Sequence, residues 1–175
     1  KSPAVFDFEK LLWFNGEYIH KMEDEAFLAK ANEFIRSVIP ENVNKGKMLA
    51  LLKTRISKFT ELDEKMAFFL SLPSYDKELF LNKKNKINDF DVVLTVLNAA
   101  KDILMNLDVF DNDSLFSALA PLTEQLSLKM GTIMWCIRIA VSGLNATPGG
   151  ATEIMEVIGK AETLSRIDSA LNLLK

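Results

Sequence analysis

The sequence predicts an all-α fold, an array or bundle of about seven to nine helices in two packed subdomains. Apolar residues recur three and four positions apart through most of the chain. Chain breakers such as Pro40 and Pro73-Ser74 fall between these periodic stretches. No two alternating β-branched runs are joined by a tight Asn-Gly or Asp-Gly turn, which argues against a sheet.

Three stretches show the clearest helical periodicity. Residues three and four apart share one face of a helix, so each stretch should form an amphipathic helix. In chain order they contain Phe27, Leu28, Ala31, Phe34, Ile35 and Val38; Met48, Leu49, Leu51, Leu52, Ile56 and Phe59; and Val93, Leu97, Ala100, Leu104 and Leu107.

Two breaks divide the middle of the chain. A turn around Ser71–Asp76 interrupts two helical blocks, and the polar run Asn82-Lys83-Lys84-Asn85-Lys86 precedes the central helix. We therefore expect one subdomain over residues 1–72 and a second over residues 73–175.

The last third of the chain has the most clearly predicted helix boundaries. A helix over about Met130–Ser142 should end at Gly143, because glycine adopts the left-handed conformation that closes helices. After a loop over residues 144–150, Thr147 as N-cap and Pro148 as first helical residue should start a helix that runs to Gly159. A final helix should begin at Lys160.

Composition limits the class of protein. A chain of 175 residues with 49% hydrophobic residues can bury one core or two small ones. The single cysteine, Cys136, excludes a disulfide framework and fits a reducing compartment. No apolar run is long enough to span a membrane, so we expect a cytoplasmic protein. The start Lys1-Ser2-Pro3-Ala4-Val5-Phe6-Asp7 reads as the middle of a longer chain.

The charge is unusual for a nucleic-acid binder. The net charge is −3, whereas binding to a phosphate backbone depends on Lys and Arg. A basic stretch without acidic residues does occur, but charge alone favours an ordinary solvated helix face. Its members are Lys45, Lys47, Lys53, Arg55 and Lys58.

No catalytic constellation is visible. His20 is the only histidine and lacks a partner at metal-binding or triad spacing, so a structural role is favoured. Gly149-Gly150 lacks the lysine of a phosphate-binding loop. Trp13 and Trp135 lie at core-like positions and are assigned to packing.

Two features could contact RNA. The loop over residues 144–150 could let a base or phosphate approach its glycines and the following helix N-terminus, although a plain connector fits equally well. Arg138 lies in the apolar run Ile137–Val141, so its guanidinium must reach an edge, pair with a carboxylate, or read a base.

Several segments resemble the bacterial glutamyl-tRNA synthetases. The stretch Val5–Ile19 resembles that family's "FD-x-x-KL-x-W-x-N-x-x-YI" signature, and Leu51–Leu62 resembles a later helix. Met134–Gly143, Pro148–Ile154 and Gly159–Ile167 together resemble the family's "R-x-A-x-(S/T)-G … PG … LGK-x-x-x-L-x-R" ending. Residues 76–113 match poorly.

The resemblance implies a two-part helical cage that holds the anticodon stem and loop of tRNA(Glu). Residues 1–72 would form a connecting, stem-contact-like part and residues 73–175 the anticodon-binding part. Glutamate activation with ATP and Mg would belong to an absent N-terminal domain, because neither ATP-binding signature of the family occurs here. The chain alone should therefore need no cofactor, lack aminoacylation activity and be a monomer.

The resemblance also implies which residues contact the tRNA. Arg138 matches an arginine that contacts the first anticodon base, and Thr147, Pro148 and Gly150 match loop positions around the first two bases. Arg55 is a candidate for the third base. Lys53 and Lys58 would meet backbone phosphates. A non-catalytic protein-interaction module remains the alternative.

Overall fold

The computed structural model describes residues 7–175, and their fold is all-helical, as the sequence predicts. The start of the chain, including Val5 and Phe6 of the first signature, lies outside the described residues. Across residues 7–175 the only extended pairing is a single antiparallel bridge between Asn82 and Ile87. Two short 3-10 helices cover Phe59–Glu61 and Lys77–Phe80. The α-helices are α1 (Phe8–Lys21), α2 (Asp24–Phe34), α3 (Lys45–Lys53), α4 (Leu62–Leu70), α5 (Phe90–Met105), α6 (Asn112–Leu119), α7 (Leu122–Gln125), α8 (Met130–Ser142) and α9 (Ala151–Leu173).

Helix α2 ends earlier than its apolar pattern predicts. The helix stops at Phe34, and Val38 is 89% exposed rather than part of a buried face. The carboxylate of Asp63 accepts hydrogen bonds from the backbone N–H groups of Arg36 (3.1 Å) and Ser37 (3.0 Å), which hold the chain away from a helical path. The bond from Ser37 is the main reason that the pKa of Asp63 lies below its usual value.

The other two periodic stretches also outlast their helices. Helix α3 ends at Lys53, although Ile56 beyond it is still buried and Phe59 packs against the core from a 3-10 turn. Helix α5 ends at Met105, two residues before Leu107. Apolar residues of the periodic pattern therefore pack into the core beyond the point where each helix ends.

Helix α1 is attached through one narrow face. Gly16 and Ile19 are its buried residues, and His20 Nε2 lies 3.2 Å from the carbonyl oxygen of Ile56. The half-buried His20 therefore has the structural role that the sequence predicts. The assignment of Trp13 to packing is wrong for this chain: its side chain is 60% exposed, because α1 buries only the Gly16–Ile19 side.

Helix α9 is the centre of the fold. It packs against α3, α4, α5, α6 and α8, and so touches both halves of the chain. Its interior positions supply a continuous apolar surface that is inaccessible to water. These buried residues include Ile154, Met155, Val157, Ile158, Ile167, Ala170 and Leu171.

Gly159 interrupts α9 where the sequence predicts a helix boundary. Its φ of 80° and ψ of 167° are not helical, although helix resumes on both sides. The break frees carbonyl groups that a loop from the first half of the chain occupies. Asn42 Nδ2 donates to the carbonyl oxygen of Ile158 (3.1 Å), and the N–H of Asn44 donates to that of Val157 (2.8 Å). The interruption thus joins the two halves.

Arg166 is the one charged side chain that is almost wholly buried among residues 7–175, with 2% exposure. Its Nη1 donates to the carbonyl oxygens of Phe68 and Val141, both at 2.7 Å, and its Nη2 donates to that of Phe69 (3.1 Å). Its Nε donates to Glu162 Oε1 at 2.7 Å. One guanidinium on α9 therefore ties the last turn of α4 to the last turn of α8.

We predict that Arg166→Met will lower the free energy of unfolding by about 3 kcal/mol or more, since three buried carbonyl groups and Glu162 lose their donor. Urea denaturation followed by circular dichroism measures the change. Arg36→Met is the matched control, because that guanidinium is exposed and donates only to Glu33. Equal stability of the two variants would contradict the role given to Arg166.

We predict that Gly159→Ala will lower the free energy of unfolding by about 1–3 kcal/mol, because the Gly159 backbone lies in a region that is almost closed to other residues. The control is Gly46→Ala within α3, where a new Cβ meets no atom closer than 3.7 Å. That change should be neutral or stabilising by about 0.5–1 kcal/mol. Thermal unfolding of both variants gives the comparison, and a stabilised Gly159→Ala variant would refute it.

Candidate nucleic-acid interface

The loop over residues 144–150 joins α8 to α9 and is fixed at its first end by Gly143. This residue closes α8 with a φ of 66°, as the sequence predicts. A Cβ at Gly143 would lie 2.8 Å from Tyr75 Cδ1 and 3.0 Å from Pro73 Cγ. Close packing against the Pro73–Tyr75 turn therefore determines where the loop leaves the helix.

The second end of the loop differs from the prediction. Helix α9 begins at Ala151 with Gly150 as its N-cap, not at Pro148 with Thr147 as N-cap. The Thr147 hydroxyl donates to the carbonyl oxygen of Gly149 (2.6 Å), so it stabilises the loop and cannot cap the helix. Glu153 Oε2 accepts a hydrogen bond from the Gly150 N–H (2.7 Å), so the Glu153 carboxylate replaces the Thr147 hydroxyl as the capping group. Pro148 consequently lies in the loop.

Two arginines from separate elements hold this loop. Arg138 on α8 donates from Nη2 to the carbonyl oxygen of Asn145 (3.1 Å). Arg55, two residues after α3, donates from Nε to that of Pro148 (3.2 Å). Each bond uses one nitrogen of a guanidinium that carries five N–H donors, so both arginines keep donors for a ligand.

The five residues assigned to base contacts meet in one cleft. Arg55, Arg138, Thr147, Pro148 and Gly150 line an open cleft of about 530 Å³ together with residues of α3 and α9. An apolar cleft of about 480 Å³ adjoins it on the side of α4, and a polar cleft of about 320 Å³ adjoins it on the side of Trp135. Residues separated by up to 95 positions thus form one surface.

Arg138 is prepared to bind an acceptor. Its guanidinium lies over the Trp135 ring, with Cζ 4.7 Å from the ring centroid. Its Nε is buried without a hydrogen-bond partner, and no carboxylate pairs with Arg138 anywhere in residues 7–175. Burial lowers the pKa of Arg138, which marks a partly dehydrated cation. The buried Nε is closed to a ligand, so an acceptor would bind the terminal amino groups of Arg138, which keep unused N–H donors.

The two predicted phosphate contacts differ in availability. The Lys53 side chain is 13% exposed, and its ammonium donates to the carbonyl oxygen of Met22 and to Asp24 Oδ1 (2.7 Å). A phosphate contact at Lys53 would have to break these bonds. Lys58 is exposed and makes no ion pair with the described part of the chain. Neither lysine lines the cleft, and their assignment stays a prediction.

Neither a cluster of metal-binding side chains nor a reactive thiol is found among the described residues. From Asp7 to Lys175 there is no group of three or more His, Cys, Asp or Glu side chains that could hold a metal ion. Cys136 is buried, and burial raises the pKa of its thiol to about 12. A thiol with this pKa is protonated and unreactive at neutral pH. No helix in this part of the chain is long and apolar enough to cross a membrane.

Comparison with known proteins identifies the family of the chain. A sequence model of the family described as "Anticodon binding domain" matches residues 8–171. The chain belongs to this anticodon-binding domain family. The glutamate–tRNA ligases of Clostridium tetani and Clostridium acetobutylicum are 39% and 36% identical to it over 175 and 176 residues. In both cases the whole chain is covered but only 36% of the relative, so the chain spans about a third of those proteins.

Solved structures agree with this membership. The crystal structure of a glutamate tRNA ligase from Elizabethkingia meningosepticum in complex with its amino acid superposes with a TM-score of 0.80 and 29% identity. The match covers 97% of this chain and 33% of the ligase. The glutamate-tRNA synthetase from Elizabethkingia anophelis superposes with a TM-score of 0.76 and 26% identity. That match covers 95% of this chain and 32% of the synthetase. The resemblance that the sequence motifs predicted is confirmed.

Sequence reasoning missed two parts of this anticodon-binding domain surface. Trp135 was assigned to packing alone, yet its ring also supports Arg138. Their spacing of three residues on one helix could have predicted this contact. Lys84 and Asn85 line the cleft beside Trp135 although they lie some 50 residues earlier. No local sequence signal indicates that proximity, because it depends on how the turn over residues 82–87 packs against α8.

We predict that Thr147→Val will lower the free energy of unfolding by about 1 kcal/mol, since the Gly149 carbonyl loses its donor. Thr147→Ser keeps the hydroxyl and should stay close to the parent chain. Urea denaturation of the two variants separates the hydroxyl from the methyl group. If valine and serine gave equal stability, the hydroxyl would not be what holds the loop.

Proposed function

We propose that this chain binds the anticodon loop of tRNA(Glu) and reads its bases in the cleft between Arg55 and Arg138. The observation that carries the proposal is the convergence of Arg55, Arg138, Thr147, Pro148 and Gly150 on one open cleft. Membership in the anticodon-binding domain family supports it. Unstacked bases expose their Watson–Crick edges, which arginine and backbone groups can recognise.

The two arginines are suited to different parts of the task. Arg138 lies against the Trp135 ring, which restricts the orientation of its guanidinium, and a base edge can accept hydrogen bonds from its terminal amino groups. Arg55 is exposed and anchored only through Nε, which leaves both terminal amino groups for a second base. We assign Arg138 to the first anticodon base and Arg55 to the third.

The loop contributes shape and backbone groups. Gly150 has no side chain to contact a base. Its N–H already donates to Glu153 and cannot also donate to a base in this arrangement. Thr147 is likewise occupied through its bond to Gly149, although its oxygen can still accept. The loop would therefore act by close approach, with Pro148 and Thr147 forming one wall of the site for the first two bases.

We further propose that the full-length protein is a glutamate–tRNA ligase. Relatives with that name support this proposal, and the chain corresponds to about a third of their length. ATP, Mg and glutamate would bind in the remaining part of the protein, and the whole enzyme would act in the cytoplasm as a monomer. The chain alone should give no glutamate-dependent exchange of ATP with pyrophosphate, and exchange activity would refute this division of labour.

The decisive variants are Arg138→Ala and Arg138→Lys. Each should lose about 1–3 kcal/mol of binding to tRNA(Glu) and, with it, discrimination against a transcript whose first anticodon base is substituted. Lysine keeps the charge but not the planar fork, so a loss in both variants indicates a base contact and not mere attraction. Filter binding of both transcripts to each variant provides the numbers.

Arg36→Ala is the control, because Arg36 lies after α2 and lines none of the three clefts. Its binding and discrimination should match the parent chain. Circular dichroism at the assay temperature identifies any unfolded variant. A folded Arg138→Ala variant that still discriminates between the two transcripts would contradict the proposal.

A protein-contact role has one observation in its favour. Trp13, Phe14 and Tyr18 on α1 are exposed by 60%, 46% and 74%, and together form an apolar surface. Exposed apolar surfaces of this kind mark protein interaction sites. If this were the main function, the chain would show no salt-dependent binding to tRNA.

A further inference from the structure

The turn over residues 82–87, which we call the lysine turn, carries charge that the proposed base contacts do not use. Lys83, Lys84 and Lys86 are all exposed, and none forms an ion pair with any residue from Asp7 onward. No acidic residue occurs between Glu78 and Asp89. In a chain with a net charge of −3, this is a local concentration of unpaired positive charge.

Hydrogen bonds within the lysine turn define its backbone conformation. Asn82 and Ile87 exchange backbone hydrogen bonds of 2.9 and 3.0 Å, and Asn82 Oδ1 accepts the N–H of Asn85 (3.0 Å). Lys86 adopts a φ of 57°, which is uncommon for a lysine and turns the backbone sharply. These internal bonds hold the three ammonium groups in one region without requiring any contact from the lysines themselves.

The lysine turn is also fixed against the base-reading helix. The carbonyl oxygen of Asn85 accepts a hydrogen bond from the Thr132 hydroxyl (2.8 Å) near the start of α8. Just before the turn, the carbonyl oxygen of Phe80 accepts one from Trp135 Nε1 (3.0 Å). The same α8 carries Arg138. The distance between the lysine turn and Arg138 is therefore set by two bonds to a single helix.

The lysine turn and Arg138 share a cleft. Asn82, Lys84 and Asn85 line the cleft of about 320 Å³ whose other wall contains Trp135 and Arg138. The side-chain amide of Asn85 makes no hydrogen bond with the described residues and is available to a ligand. A nucleotide in this cleft would thus have Lys84 beside it, and Lys83 and Lys86 lie on the same turn.

We propose that the lysine turn binds the RNA phosphates next to the base that Arg138 contacts. This rests on the proposed function and extends it by assigning a phosphate-binding surface to a turn that lies outside the sequence motifs quoted for the family. Lysine ammonium groups bind phosphate through charge and without regard to base identity. Their contribution should be sensitive to salt and equal for tRNAs that differ in anticodon.

The test replaces all three lysines at once, as Lys83→Gln, Lys84→Gln and Lys86→Asn. Asparagine suits the positive φ at residue 86, and Asn82 and Asn85 stay in place, so the turn keeps its own bonds. Binding of tRNA(Glu) and of an anticodon-substituted tRNA is measured over a series of NaCl concentrations. The control is Lys175→Gln, because Lys175 is exposed, follows α9 and lines none of the three clefts.

We expect the slope of log K against log salt to become less steep by about 2 in the triple variant, the value for three contacts to single-stranded RNA. Affinity should fall by the same factor for both tRNAs, and Lys175→Gln should match the parent chain. An unchanged slope with discrimination intact would overturn the lysine-turn proposal alone. Equal binding of both tRNAs by the parent chain would instead contradict the proposed base reading.

Discussion

The buried guanidinium of Arg166 is the constraint on which the functional surface depends. Four hydrogen bonds connect it to Glu162 and to the carbonyl groups at the ends of α4 and α8. The end of α8 is where Gly143 starts the loop, and α4 belongs to the half of the chain that supplies Arg55. A charge buried this deeply is costly unless it is fully paired, and here every partner lies on an element next to the cleft. Arg166 thus limits how far the two sides of the cleft can separate.

The electrostatic organisation is local. The chain is acidic overall, and some of its basic residues are neutralised in ion pairs such as Lys47–Glu156 and Lys101–Asp168. Arg138 and the lysine turn form no ion pair with the described residues, although Glu153 lines the same cleft as Arg138. Affinity for a phosphate backbone depends on how many cations reach it, so a small unpaired set is sufficient whatever the net charge. With the proposed RNA contacts, the net charge of −3 is compatible with binding to a phosphate backbone.

The sequence was informative where chemistry is local. The left-handed Gly143 and the break at Gly159 each follow from a glycine at the end of an apolar repeat, and both were predicted correctly. It was less informative where two local options compete. Thr147 is a good N-cap in isolation, but Glu153 caps Gly150 instead and moves the helix start by three residues. It was uninformative where chain segments meet, and nothing local indicates that Lys84 shares a cleft with Arg138.

The cleft between Arg55 and Arg138 is proposed to read anticodon bases. The test is the ratio of two affinities, one for tRNA(Glu) and one for the same tRNA with a substituted first anticodon base. This ratio is measured from low to high salt. Phosphate contacts weaken equally for both tRNAs as salt rises, so they leave the ratio unchanged. A base contact favours tRNA(Glu) by the same factor at every salt concentration. The account predicts a ratio of about tenfold or more that stays constant while both affinities fall. A ratio that stays at one throughout would contradict it, because attraction to the backbone would then explain all of the binding.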